Sequence, residues 1–574
     1  MIDNDKSNCH DLKISDSRRL TGPNLFWNKA GAILDIECSN NNTDKVVKLW
    51  KGHCRSLLDA LGWKDEEIRT RIYDGGASLV ISAPIDCLYA ATEVTEAAFA
   101  MTIKELEGKG TTIVSIDDHL PLLLKEINSE INPALIALQK AAALHDVKFL
   151  SDDDEISLGY GKTTQLYAVD KLPKPEDIDW AAITDIPVAM VTGTNGKSTT
   201  VRLASSVVKA AGLRCGITST DYIRVGDEIL DTGDYSGPGG ARTLLRHPKS
   251  EVALLEVARG GMLRRGLGIN QATTVVVTNV AEDHLGEYGI NTLEDMVETK
   301  FTVRQVINNQ QDLILNADDA GCVNFAKTLD NKIVWFSWFN NNTTVLEHLK
   351  NGGSACFVEN GEIIYQSDKS KQPIIAVQDI PITFSGAAKH NVHNALAVTA
   401  MCRAMGFDAN TIAQGLKDFK STPENNPGRG NLFEFVGIKA IADFAHNEHG
   451  LSLMAETIKN MPAKRRLVMM GQAGDRTDDL IKGLVKSALK ANPDMLLICE
   501  METHLRGRKP GEIPKLIEKY ALSFGIKPDQ LMHSSDTIDG TKKALNWSES
   551  GDVLLLLALT NRNQIIDLLN KQSD

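Results

Sequence analysis

The sequence predicts an α/β protein of three domains: a central domain with a mostly parallel sheet and a phosphate-binding loop, a smaller α/β domain after it, and a small α+β domain before it. Three observations carry this. From Ile186 onward, apolar runs of strand length alternate with helical segments; a glycine-rich turn ending in Lys-Ser joins the first such strand to the first helix; and charged or proline-bearing stretches at Lys171–Asp177 and Thr422–Gly428 interrupt the pattern. A chain of 574 residues agrees, since about 150 residues make a domain. The predicted boundaries are 1–175, 183–421 and 422–574.

Taken in order, Ala32–Ile36 reads as a strand, the segment around Leu79-Val80-Ile81 is mixed, and Pro121 to Leu144 is helical. The central domain opens with Ile186–Val191 as a buried parallel strand, after which Leu203, Val207, Val208 and Ala211 recur at helical spacing until Gly212 stops the helix. Strand candidates Val252–Leu255, Thr274–Thr278 and Leu313–Leu315 follow, with a helix from Asn291 to Val306. Beyond Gly428 the strand candidates are Lys439–Ala442, Leu467–Met470, Met495–Ile498 and Val553–Leu559. The last is apolar throughout but far below the ~20 residues of a membrane helix, so it reads as a central strand.

Composition narrows the function. Hydrophobic residues at 42% and charged residues at 24% are ordinary for a globular chain. A net charge of −13 without a sustained Lys/Arg block argues against a nucleic-acid partner. The polar N-terminus and the short apolar runs argue against a signal peptide or a membrane partner. Nine scattered cysteines with no CxxC pair point to free thiols in a cytoplasmic location, and to no zinc site.

The chemistry begins at Gly193-Thr194-Asn195-Gly196-Lys197-Ser198-Thr199. Gly193 and Gly196 let backbone N–H groups turn toward phosphate, Lys197 can reach the β/γ oxygens, and Ser198 can ligate Mg²⁺. Val191 stands where the general pattern has a further glycine, and an ordinary strand-to-helix turn is the alternative. Glu256 and Asn279 with Asp283 and His284 fall at the carboxyl ends of the next strands, where doubly wound sheets bind ligands. Such a carboxylate and imidazole can hold Mg²⁺ against a triphosphate. Alternatively, Glu256 caps a helix and His284 makes an ordinary hydrogen bond.

Together these motifs resemble the Mur ligase family, which includes folylpolyglutamate synthetases. The resemblance runs from Ile186 to the C-terminus. It takes in the phosphate loop, Glu256, the Asn279…Asp283-His284-Leu285 run, Asn316-Ala317-Asp318-Asp319, Gly386 to Asn394, Gly428-Arg429-Gly430, Asp443-Phe444-Ala445-His446-Asn447 and Gly471 to Arg476. It implies a Mur-ligase-type central domain and a Rossmann-like C-terminal domain. It also implies ATP as cosubstrate with two Mg²⁺ ions, one on Ser198 and Glu256, the other on His284 and a carbamylated Lys300. Asn279, Asn394 and Arg429 would contact nucleotide, Asn394 at the adenine; Lys197, His284, Lys300, Asp443 and His446 would serve catalysis, although His446 could equally pack a domain seam. On its own, Lys300 could equally be a solvated surface lysine on the helix that ends near Arg304.

Asp234–Pro238, Leu255–Gly268 and Leu505–Glu512 are similar to the Mur-ligase half of cyanophycin synthetases, and Arg19–Asn24 and Tyr89–Glu93 to their small N-terminal domain. Those enzymes carry an ATP-grasp domain between the two parts. Here the segment between Gly161 and Ile186 is too short for a domain of about 100–150 residues.

The implied function is ADP-forming amide or isopeptide ligation: a carboxylate is activated as an acyl phosphate and captured by an amine, one belonging to an amino acid. Arg259, Arg264, Arg265, Arg506 and Arg508 either fork onto substrate carboxylates or are solvated loop charges. The partners are small-molecule or peptide-like acids and amines, and a homo-oligomer is allowed. Two alternatives stand beside this reading: a catalytically inactive nucleotide-binding regulator, and a ligase that adds residues repeatedly.

Overall fold

The computed structural model describes residues 12–38, 42–108, 115–282, 285–368 and 370–573, so His284 and Asp283 lie outside the described residues. The chain forms two compact units. One comprises Met1–Thr194, Gly212–Leu315 and Asp319–Ile333, the other Asn195–Ala211, Asn316–Asp318 and Val334–Asp574.

In the first unit an antiparallel sheet runs in the order Leu12–Leu20, Gly31–Cys38, Gly76–Ser82, Ile68–Tyr73. Its residues alternate between two faces, as a strand requires. Ala32, Leu34, Ile36, Leu79 and Ile81 pack with Trp50, Leu57 and Leu58 of helix Thr43–Ala60 and with Val94 and Ala98 of helix Leu88–Glu107, whereas Ile33 and Val80 pack with Leu20 and Trp27. The stretch from Pro121 to Leu144 is two helices, Leu120–Glu130 and Pro133–Leu144. Pro133 disfavours helical geometry in the residue before it, and the Asn132 side chain caps the second helix by accepting from Leu135 N. Strands Phe149–Ser151, Glu155–Leu158 and Gln165–Ala168 form a small sheet, and Tyr160, between the second and third, donates its N–H to Asp185 Oδ1 at 3.0 Å.

The unit's main sheet places Cys215–Thr218, Val252–Glu256, Val188–Thr192, Thr274–Val277 and Asp312–Asn316 side by side and parallel. Strands Tyr222–Val225 and Glu228–Thr232 add an antiparallel edge. Every residue of Val188–Thr192 and Val252–Glu256 is buried, the reason these strands read as unbroken apolar runs. The predicted helix from Asn291 to Val306 is an α-helix over Leu293–Lys300 that tightens to a 3₁₀ turn over Phe301–Val306. Its start is fixed by a capping box between Thr292 and Asp295.

In the second unit, helix Lys197–Ala210 lies against helix Ala409–Asp418. Gly415 makes the approach possible, because a Cβ there would sit 2.3 Å from Val207 Cα. Strands Ser354–Glu359, Glu362–Ser367 and Ser370–Ala376 form an antiparallel meander that hydropathy alone did not reveal. The C-terminal sheet runs Asn431–Phe435, Ile438–Asp443, Val553–Leu557, Arg466–Met470, Met495–Cys499, Leu531–Ser534, parallel except at the first pair. Leu555 and Leu557 face helices Glu448–Asn460 and Asp478–Ala488, while Leu554 and Leu556 face Thr537–Trp547 and Arg562–Ser573. Burial on both sides explains the all-apolar run at 553–557. The late strand Val553–Leu557 lies between two early ones, and Asp443 ends the strand beside it, at the carboxyl end where such sheets bind ligands.

Candidate active site

In the first unit, strand Val188–Thr192 ends at Gly193, whose φ is +147°. A side chain is excluded there, since a Cβ would lie 1.9 Å from Thr278 Oγ1. The strand end is tied to its neighbours: Thr192 Oγ1 donates to Val257 O at 2.8 Å, and Thr194 N donates to Asn279 O at 2.9 Å. Thr194 Oγ1 donates to Ala281 O at 3.1 Å and accepts from Ala281 N at 3.0 Å. Lys300, at the end of its helix, is 4% exposed, and its Nζ donates to Gly193 O at 3.0 Å. It is therefore not a surface lysine.

Glu256 is the register partner of Val191 on the adjacent strand and is 2% exposed. Its Oε2 accepts from Thr220 N at 3.4 Å, and its Oε1 is enclosed with no hydrogen-bond partner among the described residues. It caps no helix, for the next helix, Arg259–Arg265, has Ala258 at its N-cap. A bare, buried carboxylate oxygen is costly unless a cation meets it, so Glu256 fits the metal-ligand expectation. Among the described residues no group of three His, Cys, Asp or Glu side chains converges to hold a metal. Asn279 Nδ2 donates to Thr278 Oγ1 at 3.3 Å. The Arg259 guanidinium pairs with Glu287, and Arg264 Nε donates to Tyr288 Oη at 2.7 Å.

In the second unit, Gly196 (φ +89°) occupies the N-cap of helix Lys197–Ala210, and Ser198 and Thr199 are buried in its first turn. That helix end presents backbone N–H groups and a positive dipole, both suited to an anion. Asn394 is buried directly against the loop: a Cβ on Gly196 would be 2.4 Å from its Oδ1, and its Nδ2 donates to Asn391 Oδ1 at 3.1 Å. The Asn195 amide lies 2.8 Å from His449 Nδ1 and 3.5 Å from Asn447 Oδ1. His449 went unnoticed in the sequence, although it follows the Asp443–Asn447 motif by two positions.

Asp443 closes its strand and accepts from Gly430 N and Ala445 N, both at 2.7 Å. Burial pushes its carboxyl up to about 6, against the opposing pull of the Arg429 guanidinium and these N–H groups. His446 Nδ1 stands 3.0 Å from Phe444 O. The two C-terminal arginines differ. Arg508 donates to Gly474 O and Arg476 O at 3.2 and 3.0 Å and pairs with Asp478 and Glu512, so it braces the Gly471–Arg476 turn. Arg506 is exposed, in left-handed backbone geometry (φ +41°), and pairs only at 2.6 Å with Asp475 among the contacts described.

Residues 191–402 match the Mur ligase middle domain and residues 428–558 the Mur ligase glutamate ligase domain. The chain belongs to the Mur ligase family. Within it, the chain is 37% identical over 361 residues to the cyanophycin synthetase of Geminocystis herdmanii, a match covering 62% of this chain and 41% of that one. To the cyanophycin synthetase of Crocosphaera subtropica it is 34% identical over 388 residues, covering 68% and 44%. The chain thus spans roughly two fifths of the length of these relatives. The UDP-N-acetylmuramoylalanine–D-glutamate ligase of Alkaliphilus metalliredigens is 25% identical over 366 residues, covering 63% and 70%. Among solved structures, E. coli FolC in complex with DHPP and ADP superposes with a TM-score of 0.50 at 19% identity, covering 67% of this chain and 89% of that one. This Mur-ligase fold is mixed α/β, with a large, mostly parallel sheet and a parallel sheet in the C-terminal domain.

Proposed function

We propose that this Mur ligase joins a carboxylate to the amine of an amino acid, releasing ADP and phosphate, and that it makes one amide or isopeptide bond per acceptor. The observation that carries the reading is the buried, partnerless Oε1 of Glu256, one strand away from a phosphate loop whose glycines admit no side chain. A cation drawn to that oxygen would neutralise charge beside the loop, as phosphoryl transfer requires.

In this reading the γ-phosphoryl of ATP passes to a carboxylate oxygen, giving an acyl phosphate and ADP. The amine nitrogen then displaces phosphate and loses a proton. Loop N–H groups and Lys197 stabilise the negative charge on the transferring group. Magnesium, assigned to Ser198 and Glu256 and, for a second ion, to His284 and a carbamate on Lys300, supplies further charge neutralisation when bound. Asn279, Asn394 and Arg429 are assigned to the nucleotide, with Asn394 also supporting Gly196. Arg259, Arg264 and Arg506 are assigned to substrate carboxylates, Arg508 to holding the turn beside them, and Asp443 and His446 to the amine side. The junction at 160–185 closes through a direct hydrogen bond between Tyr160 and Asp185, so no second ligase domain stands there to alternate with this site.

A phosphate-release screen of purified protein against paired panels of carboxylates and amino acids tests the proposal, with mass spectrometry of each hit and Lys197→Ala as control. A product heavier by one residue, absent in the variant, is expected. No pair giving phosphate above the control would defeat it.

A further inference from the structure

We infer that Arg71, on the edge strand of the N-terminal sheet, is a positioning residue for Lys300, so that this sheet sets the geometry of the phosphate loop. The inference rests on the reading of that loop as the nucleotide site. Arg71 reaches across to a segment more than two hundred residues later, where one guanidinium nitrogen donates to Gly289 O at 2.8 Å and to Asp295 Oδ1 at 2.6 Å. Both partners are largely enclosed, with side chains 13% and 24% exposed.

Asp295 is not a casual partner. Its Oδ2 accepts from Asn291 N and Thr292 N at 3.0 and 2.9 Å, completing the capping box that starts helix Leu293–Lys300. Its Oδ1 is taken by Arg71, so one carboxylate fixes both where the helix begins and how it is aimed. The neighbouring Tyr73 ring packs onto Gly289, which has φ +67° and no room for a Cβ: one would fall 2.3 Å from Tyr73 Cδ1. The strand Ile68–Tyr73 therefore grips the approach to the helix at two points.

Lys300 is the last residue of the same helix, five positions after Asp295 and about 7.5 Å along the axis at 1.5 Å per residue. A short α-helix behaves as a rigid rod over that distance, so releasing its first turn displaces its last. The far end bears the buried Nζ that donates to Gly193 O, at the residue where the phosphate loop leaves its strand. Hydrogen bonds thus run from Arg71 through Asp295 and the helix to Gly193.

The test uses the full chain and the affinity for MgATP, measured with a fluorescent ATP analogue at several Mg²⁺ concentrations. Arg71→Ala is expected to weaken binding about tenfold with little change in melting temperature, and Arg71→Lys, which can still meet one acceptor, to recover most of it. In a double-mutant cycle, Arg71→Ala should add almost nothing once Lys300→Met is present. Equal affinity of Arg71→Ala and wild type, or full additivity with Lys300→Met, would overturn the inference. If Arg71→Ala does not fold, Asp295→Asn, which keeps the shape of the cap, replaces it, and wild-type affinity there would overturn the inference equally. Wild-type protein that fails to bind MgATP would instead remove the nucleotide reading itself.

Discussion

Lys300 Nζ donates to the carbonyl of Gly193 at 3.0 Å across a buried space, linking the end of one helix to the turn where the phosphate loop begins. The pair fixes where the Lys300 nitrogen is held relative to the loop.

Replacing Lys300 by Met keeps the length and apolar stem but removes the hydrogen bond to Gly193 O. A lost hydrogen bond is worth about 0.5–1.5 kcal/mol, and the group is also assigned to chemistry. Ligase turnover should fall by at least about a hundredfold, measured as phosphate release under saturating substrates. Undiminished turnover would take Lys300 out of the site.

Glu256→Gln should separate stability from function. The bare Oε1 costs the folded state without a cation, so the variant should melt no lower than wild type in EDTA. Magnesium should raise the melting temperature of wild type and leave Glu256→Gln unmoved. The same Mg²⁺ response in both proteins would show that Glu256 holds no metal.

Asp443 predicts a pH dependence with a definite sign. Its carboxyl is raised by burial from 3.8 to about 6 in the folded state, so the stability it contributes is full below the unfolded value and is lost as pH rises through about 6. Between pH 4 and 7 wild type should lose on the order of 3 kcal/mol relative to Asp443→Asn. Urea midpoints across that range decide it, and parallel curves for the two proteins would contradict the assignment.

Arg508 and Arg506 should part company. Arg508→Ala removes donors from Gly474 O and Arg476 O and should lower the melting temperature. Arg506→Ala should leave stability within about 0.5 kcal/mol, as exposed pairs do, and instead raise the KM for one substrate. A KM unchanged for every substrate would return Arg506 to the role of a solvated charge.

Much of this was legible in the sequence because burial writes itself into periodicity. Val188–Thr192, Val252–Glu256 and Val553–Leu557 are covered on both faces, and each reads as a continuous apolar run. The meander at 354–376 did not announce itself, since Ser370, Lys371 and Gln372 open an exposed edge strand with no apolar alternation. The phosphate loop was visible because glycines at 193 and 196 are demanded by backbone geometry. What holds it was not: the burial of Lys300, the enclosure of Glu256 Oε1 and the reach of Arg71 to Asp295 depend on pairings between distant segments, which local patterns do not encode. Arg508 looked like its neighbour Arg506, and only the carbonyls of Gly474 and Arg476 distinguish them.

The proposed reaction turns on activation of the carboxylate by phosphorylation at this loop. Its most direct test uses the acid and amine that the screen returns, with the acid labelled with ¹⁸O in its carboxylate. One labelled oxygen should appear in the inorganic phosphate released alongside ADP, and none should be transferred by Lys197→Ala. Phosphate free of label, or AMP and pyrophosphate in place of ADP and phosphate, would contradict the account.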